Sequence, residues 1–252
     1  MQPLALYFSL AVVALFPAAV SQFRVRQADD WDHEMTTRSL DRVAGACVVF
    51  GATLLAAYGV LFVLLLPIGQ GGFDYPRLVV SPYWMPLALV ALVGVISIVA
   101  GIDAIYARLQ GSTGIAGIIG LLLTKVALVF QACMLTWELL LDPIMAGHPD
   151  SAFLLRDRVI ATSSAMVIFQ WVFLTTTGVG APLFGFAVFR SRQFPRGAIL
   201  LIVLGAIIYA VGPLISVFLA IGGVIMFALG AALIGARLWR PPILPSGSVE
   251  AA

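Results

Sequence analysis

From Gly197 to Trp239 the chain carries a single charged side chain, Arg237, amid small, aliphatic and aromatic residues. That stretch is about twice the roughly 20 residues needed to cross about 30 Å of hydrocarbon. Shorter runs of the same character occupy Pro3 to Gln22, Val43 to Ile68, Met85 to Ala107, Gly114 to Leu140 and Val159 to Phe189. Backbone groups inside hydrocarbon have no water to bond, so each run must satisfy its own amides as a helix. The composition agrees: 62% of the chain is hydrophobic and 10% charged, against about 45–50% and about 25% in ordinary globular proteins. The chain is therefore expected to be an integral membrane protein. The final block divides near Gly212-Pro213 to Leu219, which gives spans at about 3–22, 43–68, 85–107, 114–140, 159–189, 197–215 and 219–239. The expected fold is all-α, a single polytopic bundle of seven transmembrane helices over residues 1–252.

Orientation follows from the arginines. With the N-terminus outside and the C-terminus cytoplasmic, the cytoplasmic side receives Arg24, Arg26, Arg38, Arg42, Arg108, Arg190, Arg192, Arg196, Arg237 and Arg240. The opposite side receives only Arg77, Arg156 and Arg158. This is the asymmetry of the positive-inside rule. Ala19-Val20-Ser21 offers a signal-peptide cleavage site, but nothing basic precedes the run, and removing it would invert the arginine count. The 14 basic and 12 acidic side chains nearly cancel, and no basic run suggests nucleic acid.

Polar residues deep in the apolar runs mark where a site can lie. Thr124, Gln131 and Glu138 recur every seven residues in the fourth span, as do Ser163, Gln170 and Thr177 in the fifth. A seven-residue step leaves each triplet within roughly 20° of one line on its helix. Such a stripe must face protein, a ligand or water, because an unpaired amide or carboxyl in hydrocarbon costs several kcal/mol. Consecutive spans run antiparallel, and the position numbers of the pairs Glu138–Ser163, Gln131–Gln170 and Thr124–Thr177 share one sum. Two arrangements follow: a ladder of direct hydrogen bonds, or a pocket flanked by the two stripes.

Lys125, the only lysine, lies eleven residues into the fourth span, about 120° round the helix from the stripe. It can snorkel, pair with Asp103 at the end of the third span, or serve a ligand. The segment Thr175 to Pro182 holds three threonines, Gly178, Gly180 and a proline, which together predict a kink or short unwinding. Gly94 and Gly101, Gly223 and Gly230, and Gly114, Gly117 and Gly120 fall at helix-packing spacings. Asp29 to Glu34 gathers four carboxylates and His33, a conceivable divalent-ion site or a solvated linker. Cys47 and Cys133 sit in apolar runs and read as small buried hydrophobes.

The segment Phe189-Arg190-Ser191-Arg192-Gln193-Phe194-Pro195-Arg196, with the later Gly235-Ala236-Arg237-Leu238-Trp239-Arg240, resembles the C-terminal part of uncharacterised bacterial multi-span inner-membrane protein families. The resemblance covers about the last quarter of the chain. It implies a location in the bacterial inner membrane.

Three function classes remain open. The first is a binding, sensory or accessory membrane protein with a polar site between the fourth and fifth spans, holding a lipid or small molecule or docking a membrane-protein partner. The second is a transporter using Lys125, Asp103 and Glu138. The third is an intramembrane enzyme, disfavoured because both histidines, His33 and His148, lie in loops. Ligand contacts are expected from Lys125, Gln131, Glu138, Gln170, Thr177 and Asp103, with no catalytic or metal-ligating set.

Overall fold

The computed structural model describes residues 30–66, 68, 74–109 and 114–240. The described residues from Leu40 to Arg240 form one packed unit, and the unit before them is described only over Asp30–Ser39, within the first helix. In chain order the helices are α1 (Asp30–Leu65), α2 (Tyr75–Val79), α3 (Trp84–Ala107), α4 (Gly114–Gly147), α5 (Ala152–Arg156), α6 (Ser164–Ser191), α7 (Arg196–Val211) and α8 (Val217–Leu238). Six stretches are long and apolar enough to cross a membrane: Ser39–Leu65, Trp84–Ala107, Gly114–Gly147, Ser164–Ser191, Arg196–Leu214 and Val217–Leu238. The expected span at 3–22 lies outside the described residues, as do the side chains of the Asp29 to Glu34 cluster. The six spans are predominantly apolar, as helices in lipid are. Ile115 and Leu214 point outward, while alanine and glycine fill the helix contacts.

The ends of several spans depart from the sequence reading, α1 running Asp30–Leu65 where 43–68 was expected, while the last block divides where that reading placed the break. The fourth span was expected to stop at Leu140 but continues to Gly147, through Pro143. Asp142, which reads as the start of a loop, is instead 2% exposed and hydrogen-bonded. The fifth span starts at Ser164 rather than Val159, because Arg158 adopts left-handed backbone (φ 56°) and Ser163 caps the helix by accepting from the Met166 amide. The last block breaks where Gly212 and Pro213 enter a 3-10 turn, and Ser216 then caps α8. Pro182 lies inside α6 without interrupting it, so the expected unwinding is absent.

Close approach of backbones sets the packing. A methyl group on Gly180 would lie 2.8 Å from the Thr124 amide nitrogen, and one on Gly120 would strike the backbone of Leu183 and Phe184. These two glycines bring α4 and α6 into main-chain contact, the geometry that small residues permit in lipid. α8 packs on α7, α7 on α6 and α3 on α4, while α1 approaches α3 at Gly51 and Gly94.

The two ends of the bundle differ chemically. One end carries Arg42, Arg108, Arg190, Arg192, Arg196, Arg237 and Arg240. Here Arg108, with 9% of its side chain exposed, pairs with Asp41 of α1 at 2.8 Å. Its other nitrogens donate to the carbonyls of Arg237, Leu238 and Arg240. One guanidinium thus neutralises an acid on α1 and caps the unsatisfied carbonyls ending α8. At the same end Trp239 donates to the Arg42 carbonyl at 3.1 Å. The opposite end is aromatic: Tyr58, Phe62, Tyr75 and Trp84 stack edge-on or tilted with ring centroids 5.4–6.1 Å apart.

Candidate functional site

A cavity of about 80 Å³ lies at the centre of the bundle, and all six spans contribute to its wall. Most of that wall is hydrocarbon, including Leu55 of α1, Ala91 and Val95 of α3, and Val224 of α8. Against this apolar background stand Tyr58 of α1, Thr124 and Gln131 of α4, Thr177 of α6 and Tyr209 of α7. The lining runs along α4 from Thr124 to Leu135, eleven residues or about 16 Å of helix. A space that long with so small a volume is slender.

Four of these polar groups have a definite state. Tyr209 donates its hydroxyl to Gln131 Oε1 at 2.7 Å, and its ring meets Phe173 edge-on. Thr124 donates to the Gly120 carbonyl of its own helix at 2.7 Å. Thr177 is 6% exposed, and its Oγ1 has no hydrogen-bond partner among the described residues. Its neighbour Thr176 donates back to the Val172 carbonyl at 2.8 Å. A threonine in a membrane helix normally bonds a carbonyl one turn back in this way. Thr177 departs from that habit on the wall of a cavity, and a buried hydroxyl without a partner costs about 1–3 kcal/mol.

Outward along α4 the same face carries acids. Glu138 and Asp142 lie one heptad beyond Gln131 and Leu135 respectively, so they extend the cavity-lining stripe toward the aromatic end. Asp142 accepts from the Tyr75 hydroxyl at 2.5 Å and from Trp137 Nε1 at 2.8 Å. The backbone carbonyl of Glu138 accepts from Trp84 Nε1 at 2.8 Å. Burial, reinforced by the charges of Glu138 and Asp142 and by the bond to Asp142, pushes the Tyr75 phenol far above its ordinary range. It therefore keeps its proton and remains a donor.

The structure unites some expected site residues and separates others. Gln131, Thr124 and Thr177 share the cavity, and Glu138 does not line it but follows Gln131 by one heptad on α4. Gln170 is exposed on the outside of α6, and Ser163 is spent as a helix cap, so the ladder is not formed. The cause is register: Thr124 lies opposite Gly180, three residues beyond Thr177, because the main-chain contacts at Gly120 and Gly180 fix how the helices meet. Lys125 and Asp103 are also elsewhere. Lys125 Nζ lies 2.6 Å from Asp103 Oδ1, with 26% and 42% of the two side chains exposed, and neither residue lines the cavity. Lys125, Asp103 and Glu138 thus do not form one constellation. Among the described residues no group of three metal-ligating side chains occurs, and Cys47 and Cys133 are free and half-buried.

Tyr58, Tyr209 and Asp142 escaped the sequence reading. Asp142 follows Leu128 and Leu135 at heptad spacing, a signal hidden by the adjacent proline. Tyr209 gave no pattern, being one aromatic residue in an apolar run. Comparison with protein-family models, with curated proteins and with solved structures finds no match for this chain.

Proposed function

We propose that this chain is a multi-pass protein of the bacterial inner membrane that binds a small molecule or a lipid chain in its central cavity, acting as a binding, sensory or accessory subunit. The proposal includes a seventh span at 3–22, an external N-terminus and a cytoplasmic C-terminus. The arginine-rich end of the bundle supports that orientation. One observation carries the binding reading: Thr177 holds an unpartnered hydroxyl on the wall of a slender apolar space reached by all six spans. Ligand sites are concave and mostly apolar, with a few placed polar groups. Thr177 and the Gln131–Tyr209 pair have that character, since one hydroxyl has spare capacity and the amide keeps its donors for an occupant.

Native mass spectrometry of gently extracted protein tests this directly. Wild type is expected to carry a bound mass beyond the bulk lipid envelope. Ala181→Leu, which fills the cavity from α6, is expected to lose it while remaining folded. Identical spectra for the two proteins would refute the proposal.

A further inference from the structure

The chemistry around the cavity selects a class of ligand, an inference that rests on the cavity being a binding site. Tyr58, Phe173, Tyr209 and Phe227, from four different helices, put aromatic rings on its wall. Ring faces attract cations, most strongly where water is excluded. Glu138 lies one turn beyond the lining residue Leu135 on the same face of α4, and its carbonyl accepts from Trp84 of the aromatic cluster that includes Tyr58, so the acid and the aromatic wall coincide at that end.

Among the described residues no ion pair reaches Glu138 or Asp142. Lys125 is engaged by Asp103 and Arg108 by Asp41. Asp142 has only neutral donors, Tyr75 and Trp137, and Glu138 takes part in no ion pair among the described residues. Two carboxyls one turn apart on a membrane helix must hold protons or share a positive charge from outside. At the inner end the wall is hydrocarbon, ending in the unpartnered Thr177 hydroxyl.

We propose that the cavity binds a slender amphipathic amine, with its ammonium among Tyr58, Tyr209 and Glu138 and its unbranched chain running inward toward Thr177. Shape, rings and acid each exclude something: the narrow space rejects bulky headgroups, the apolar wall rejects hydrophilic polyamines, and Glu138 rejects anions of the same chain length.

A charge series on one chain tests the assignment. Octylammonium, 1-octanol and octanoate are added below micellar concentration to the purified full-length protein, and their apparent Kd values are read from thermal shifts. The ammonium is expected to bind about tenfold more tightly than the alcohol, with octanoate weakest. Glu138→Gln is expected to bring the ammonium down to the alcohol while leaving the alcohol's affinity unchanged. Ala181→Leu is expected to abolish all three responses, which separates the cavity from the micelle. Equal affinities for ammonium and alcohol in wild type would overturn the amine assignment and leave the cavity reading standing. Responses in Ala181→Leu equal to wild type would overturn both. Because the charge series is read on wild type, an unstable Glu138→Gln does not blunt the test. If that variant folds and keeps the tenfold preference, the role given to Glu138 is wrong.

Discussion

At the scale of single residues, three polar side chains carry distinct structural work. Arg108 is the most consequential, because it serves an acid on α1 and the carbonyl end of α8 together. Arg108→Ala would strand Asp41 and uncap α8, at a cost of about 3 kcal/mol. Arg108→Lys should recover only part, since an ammonium lacks the planar fork. Melting in detergent checks both; an unchanged midpoint for the alanine variant would contradict the clamp. The Lys125–Asp103 pair is partly exposed and should be worth less. A double-mutant cycle of Lys125→Met and Asp103→Asn is expected to give a coupling of about 1 kcal/mol, whereas zero coupling would mean that Lys125 only snorkels. For Tyr75 the sign of linkage is definite. Its folded phenol titrates above the unfolded one, so its contribution is fully present below about pH 10 and is lost as pH rises above that value. Tyr75→Phe should therefore destabilise equally at pH 6 and pH 9, as measured by melting at the two values. A cost appearing at only one of them would contradict the assignment.

Elements show why the fold was more legible than the site. Each described span could be read from apolar run length, because hydrocarbon forces helix on any segment that crosses it. The heptad of Thr124, Gln131 and Glu138 was a sound guide to the inward face of α4, where Thr124 and Gln131 do line the cavity. It failed as a guide to partners. Which helix meets Gln131 depends on three-dimensional packing, and the answer was Tyr209 on α7 rather than Gln170 on α6. Register between α4 and α6 came from Gly120 and Gly180, whose backbones touch, and glycine spacing alone does not say which glycine lies opposite which residue. The contrast within α6 is testable. Gly178 has nothing within 4 Å of an added methyl, so Gly178→Ala should be neutral or stabilising by up to about 1 kcal/mol. Gly180→Ala forces its methyl against the Thr124 amide and should lower the melting midpoint clearly. Equal midpoints for the two variants would contradict the main-chain contact.

For the whole molecule, one basic end and one aromatic end give the bundle the kind of charge asymmetry that the positive-inside rule describes. Cysteines introduced at Ser191 and Gly147 should be labelled by an impermeant reagent from opposite faces, with Ser191 on the cytoplasmic one; labelling of both from one face would contradict the orientation. Between these ends lies the cavity at the middle of the bundle, which is proposed to hold a ligand. Methyl NMR on alanine- and threonine-labelled protein tests it most directly, by comparing gently extracted protein with exhaustively delipidated protein before and after octylammonium is added back. Shifts confined to Ala91, Thr124, Ala127, Thr177, Ala181 and Ala206, removed by delipidation and restored by the amine, are the predicted result. Unchanged signals at these methyls, or changes confined to outward-facing alanines, would contradict it.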